Sequence, residues 1–63
     1  MGNKTKTLSE LIADADAKGN DLLARANEAL ETGDAERAER LFERGQFWLD
    51  RSNQLQEAKA SAK

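Results

Sequence analysis

One break governs what this chain can fold into. Glu31-Thr-Gly-Asp34 lies at the midpoint of 63 residues, between two stretches of uninterrupted helical periodicity. Gly33 suits the left-handed conformation that ends a helix, and Asp34 suits the N-cap of the next one. Glu36 then falls in a first turn, where the helix dipole favours a carboxylate. Before the break, Leu8, Ile12, Ala15, Gly19, Leu22, Ala26 and Ala29 follow in alternating steps of four and three, widened by Leu11, Leu23 and Leu30. After it, Ala38, Leu41, Gly45, Trp48, Ser52 and Leu55 repeat the pattern, with Phe42 and Leu49 beside them. Thr7-Leu-Ser-Glu10 has the spacing of a capping box, in which each side chain satisfies an orphan backbone N–H. The pattern predicts an all-α, antiparallel αα-hairpin with helices over about 8–32 and 35–58. Residues 1–6 read as a flexible basic arm and 59–63 as a frayed tail.

Composition agrees with helix and removes most alternatives. Pro, Val and Tyr are absent, and Ile12 is the only β-branched apolar residue. With no Cys there is no disulfide or thiolate metal site, and a reducing, cytoplasmic setting is expected. With no His the commonest general base and metal ligand is missing too. Ser9, Ser52 and Ser61 therefore have no catalytic partner, and Gly19, Gly33 and Gly45 stand too far apart for a phosphate loop. Neither an enzyme nor a cofactor or metal site is expected. Mean hydropathy is −0.85, and apolar runs are too short for a membrane span. The start, Met1 to Lys6, resembles a myristoylation signal only at Gly2. Ten basic and 12 acidic residues give a net charge of −2, too balanced to imply nucleic acid on charge alone.

The apolar content is small in a second sense: 38% of residues are hydrophobic, but 11 of them are alanine. Two facing helices bury one stripe each and leave their flanks wet. A second layer is therefore expected, from dimerisation into a four-helix bundle or from docking on a partner. Leu22, Leu41, Phe42, Trp48, Leu49 and Leu55 are the candidate assembly core. Small residues, Ala38, Gly45 and Ser52, alternate with Leu41, Trp48 and Leu55 along helix 2, a layering that allows close approach of backbones. Gly19 and Gly45 each cost about 1 kcal/mol relative to Ala inside a helix, so a packing reason is expected for both.

The best functional candidate is a sector of helix 2. Steps of 100° bring Arg37, Arg40, Arg44, Phe47 and Arg51 together beside the core face. An aromatic ring among guanidiniums suits acidic proteins, phosphates or unpaired bases. The same arginines can instead bracket a seam and pair with helix 1 carboxylates across a dimer. Asp14, Lys18, Asp21, Arg25 and Glu28 form an alternating ladder on helix 1, expected to be a solvated face.

In length, central turn and alternating core layers, the chain resembles the plasmid repressor-of-primer (Rop) family of dimeric helical hairpins. That resemblance covers nearly the whole chain and implies an RNA-binding regulator. In the family an exposed aromatic of the first helix contacts paired RNA loops; here helix 1 has none and carries Asp14, Asp16 and Asp21. Leu22 to Gly45 also resembles one tetratricopeptide-type helix pair, with Ala26, Gly33, Ala38, Phe42 and Gly45 at its small and aromatic positions. The reading that follows is a non-enzymatic protein-interaction module (adaptor, regulator or inhibitor) that pairs with itself or with another protein. A Rop-like RNA regulator and a minor structural subunit of a larger complex are the alternatives.

Overall fold

A computed structural model describes residues 6–61, so the arm is described only at Lys6 and the tail only to Ser61. Helix α1 spans Leu8–Glu31 and helix α2 spans Ala35–Ser61; they pack against each other as an antiparallel hairpin. Each end has a local chemical cause. Thr7 Oγ1 accepts the Glu10 N–H at 3.1 Å, and Glu10 Oε1 accepts the Thr7 N–H at 2.9 Å, completing the capping box. At the other end, the Asp34 N–H reaches Ala29 O at 2.8 Å and the Gly33 N–H reaches Leu30 O at 3.0 Å. These two bonds are a Schellman closure, which requires the positive φ of 87° that Gly33 supplies. Asp34 then starts α2, its carboxylate accepting the Arg37 N–H at 3.2 Å.

α2 continues to Ser61, three residues past the expected end at 58. Ala58, Lys59 and Ala60 are good helix formers, and Lys59 Nζ donates to Ser9 Oγ at 2.7 Å, tying this end to the start of α1. α1 stops at Glu31, with Thr32 as its C-cap.

The helices meet on small residues. Ala15, Gly19, Ala26 and Ala29 of α1 and Ala38, Gly45 and Ser52 of α2 are the buried residues. At the crossing, a Cβ on Gly19 would lie 2.7 Å from Leu49 Cγ and 3.1 Å from Gly45 O. A Cβ on Gly45 would lie 3.0 Å from Leu23 Cδ2 and 3.2 Å from Gly19 O. The packing reason for both glycines is thus a backbone-to-backbone contact, with Leu49 and Leu23 laid over the opposing glycine. Ser52, 1% exposed, sits in this seam with its hydroxyl accepting Gln56 Nε2 at 3.1 Å.

No large side chain is fully buried among the described residues. The molecule is 12 Å thick, the diameter of one helix with its side chains. Its radius of gyration is 14.6 Å, against about 10.6 Å for a compact domain of this length. It is one layer.

Candidate interaction surface

The seam divides the layer into two faces. On α2 the seam line is Ala38, Gly45 and Ser52 at heptad spacing. Leu41, Trp48 and Leu55 stand three residues on, and Phe42 and Leu49 four residues on, so they flank the seam on opposite sides. Of the six candidate assembly-core residues, Phe42 and Leu49 therefore lie on the other side of the seam from Leu41, Trp48 and Leu55. Leu22, Leu41, Trp48, Leu49 and Leu55 are half-buried, and Phe42 is exposed. Large apolar groups remain open on both sides: Leu30 is 50% exposed, and Leu11 and Phe42 are 37% exposed.

The face that carries Trp48 has the richer chemistry. Lys18 Nζ lies 4.5 Å from the centroid of the Trp48 ring, a cation–π contact between the helices. Phe47 meets the same ring edge-on, with centroids 5.4 Å apart and planes at 82°. Lys18, Asp21, Leu22, Arg44 and Trp48 line a cleft of about 280 Å³. A second cleft of about 210 Å³, toward the turn, runs from Arg25 and Glu28 to Asp34 and Arg37. Arg44 and Arg37 thus edge two openings on one face.

The other members of the sector lie further round. Arg37, Arg44 and Arg51 occupy one heptad line next to Leu41, Trp48 and Leu55, while Arg40 and Phe47 occupy the line beyond it. All five are exposed, Phe47 to 58%. Among the described residues none of these four arginines forms an ion pair, so their charge is not neutralised within the hairpin.

The helix 1 ladder is only partly realised. Arg25 Nε bonds Asp21 Oδ2 at 2.9 Å, but Lys18 turns to Trp48, and Asp14 takes Lys6. The hydrogen bond and charge of Lys6 hold the Asp14 carboxyl below its ordinary range, and the same contact raises Lys6. The Lys18–Trp48 contact carried no signal in the ladder, because it depends on how the two helices are set against each other. No group of His, Cys, Asp or Glu among the described residues is arranged to hold a metal ion. No helix among them is long and apolar enough to cross a membrane. No protein-family model, curated protein or solved structure matches the chain.

Proposed function

We propose that the chain is a non-enzymatic helical-hairpin interaction module, working as a homodimeric four-helix bundle that binds and modulates another protein. One observation carries this reading: among the described residues those that are buried are all small, and each large apolar side chain is left at half-burial or more exposed on a single layer. A hairpin of this kind keeps its hydrophobic surface for a second layer, which a second copy supplies at least cost in sequence. Phe47 and Arg40, at the outer edge of the sector, are the contacts for a partner with acidic groups, and the absence of Cys suits a reducing cytoplasm. Sedimentation equilibrium at micromolar concentration, with far-ultraviolet circular dichroism, tests the assembly: a helical dimer is expected, and a stable folded monomer would sink it. Affinity capture with wild type and Phe47→Ala tests the partner contact, since equal recovery of every bound protein by both would remove Phe47 from the surface.

A second reading is an RNA regulator of the Rop kind. It is favoured by the exposure of Phe47 among Arg40, Arg44 and Arg51, which offers a stacking ring with phosphate contacts. Titration with a structured RNA stem-loop separates the two. An RNA complex held by several phosphates weakens on the order of 10³-fold between 50 and 200 mM salt; no binding at low salt ends this reading.

A further inference from the structure

The two faces of the layer differ in charge, and the difference selects an occupant for one of them. On the Trp48 face the outer line of α2 is Arg37, Arg44 and Arg51, and the outer line of α1 is Asp14, Asp21 and Glu28, each at heptad spacing. On the opposite face Leu30 and Phe42 lie among Asp16, Glu39, Glu43 and Asp50, and Lys59 reaches it only at the open end of the hairpin, where its Nζ donates to Ser9. Two copies meeting through that second face would set carboxylates against carboxylates. Meeting through the Trp48 face, they can set the α2 arginines, unpaired among the described residues, against Glu28 and against Asp14 and Asp21, which also hold Lys6 and Arg25.

We propose that a second copy of this chain docks on the Trp48 face with α1 of each hairpin lying antiparallel along α2 of the other, so that both turns sit at one end of the bundle. This rests on the dimer reading above and adds which face closes and which helices meet. The hairpin's own register supports it. Gly19 is level with Gly45, within backbone contact. In antiparallel helices that register brings Asp14 to the level of Arg51, Asp21 to that of Arg44 and Glu28 to that of Arg37, within one residue, or about 1.5 Å. A twofold axis parallel to the helices preserves these levels, so each carboxylate of one copy meets the matching arginine of the other. An axis perpendicular to the helices would instead lay α2 along α2, arginine line against arginine line.

Area and side-chain chemistry agree. The accessible surface is 4857 Å², against roughly 4,000 Å² for a compact monomer of 7.0 kDa, so the single hairpin leaves more surface open than a compact fold does. Leu41, Trp48 and Leu55 provide the apolar centre. Lys18 and Arg25 bring their aliphatic stems to the same face, with their charges held by the Trp48 ring and by Asp21.

The chain has no Cys, so introduced thiols report the pairing directly. Asp21→Cys and Arg44→Cys chains are mixed, refolded together and oxidised, with sedimentation run in parallel. The expected product is the mixed 21–44 disulfide, with little 21–21 or 44–44. Self-linked products without the mixed one, or no product from chains that sediment as dimers, overturn the proposed pairing while leaving the dimer itself standing. Chains that sediment as folded monomers overturn both. As a check without thiols, Arg44→Glu weakens the homodimer roughly tenfold or more at low salt, and adding Asp21→Arg in the same chain restores it. An unchanged homodimer in Arg44→Glu also overturns the pairing, because like facing like gives the same repulsion with either sign.

Discussion

At Gly19 and Gly45 a single methyl group decides how close the helices come. Alanine would gain about 1 kcal/mol of helix propensity at either position. At Gly19 the added carbon meets Leu49 Cγ at 2.7 Å and the Gly45 carbonyl at 3.1 Å, and the carbonyl cannot turn aside. The helices must separate along the seam, and overpacking of this kind costs about 1–3 kcal/mol. Gly19→Ala is therefore expected to be destabilising despite its propensity gain, with Gly45→Ala milder because its contacts are longer, 3.0 Å to Leu23 Cδ2 and 3.2 Å to Gly19 O. Gly33→Ala fails for another reason: nothing lies within 4 Å of the added carbon, but φ of +87° costs an L-residue about 1–2 kcal/mol. Urea denaturation at fixed chain concentration ranks the three. Greater stability in Gly19→Ala would mean that the backbones are not in contact.

At the scale of the element, the start of α1 and the turn were readable because their causes are local, whereas the end of α2, tied by Lys59 to Ser9, was not. Thr7 and Glu10 satisfy each other's orphan groups, and Gly33 and Asp34 make the turn, all within a few residues of sequence. Thr7→Ala removes an N-cap and is expected to cost about 1 kcal/mol, read as a lower urea midpoint with unchanged slope. The capping segment is also tied by Lys6 to Asp14, and its pH dependence follows from the two shifts. Asp14 titrates lower when folded, so the tie is present above its ordinary value of 3.8 and is lost as pH falls through the folded value. Lys6 titrates higher when folded, so the tie is fully present below 10.5 and is lost as pH rises through the folded value. In a carboxyl NMR titration Lys6→Ala should return Asp14 upward; an unmoved titration would mean that the pair does not form in solution. What the sequence did not reveal lies between elements. Trp48 and Leu49 are adjacent in sequence and belong to one apolar stripe, yet they fall on opposite sides of a seam only two small residues wide. Lys18 looked like one rung of a charge ladder, but the register of α2 brings it over an indole ring.

For the whole molecule, the question is which of two half-covered faces closes. Exposure alone does not choose between them: Leu30 and Phe42 are exposed on one side and Phe47 on the other, where Trp48 is half-buried and already partnered by Lys18 and Phe47. A face also needs a rim that tolerates its own copy. The Phe42 side is rimmed mainly by carboxylates and amides, with Lys59 reaching it only at the open end, and its repulsion grows with every carboxylate pair brought together. The Trp48 side offers both signs on separate helices, which a twofold axis can match. An anchor at the centre of such an interface loses far more on truncation than a residue left at its wet edge. Trp48→Ala is therefore expected to weaken self-association by about 2 kcal/mol or more, some 30-fold, while Phe42→Ala changes it by less than about threefold. Because dimerisation binds only the folded state, wild type should also melt at a temperature that rises with chain concentration, and Trp48→Ala should flatten that dependence. Sedimentation equilibrium on the two variants, with melting followed over a hundredfold range of concentration, decides the matter. A larger loss in Phe42→Ala than in Trp48→Ala would move the interface to the acidic face and leave the arginine line to solvent or to a different partner.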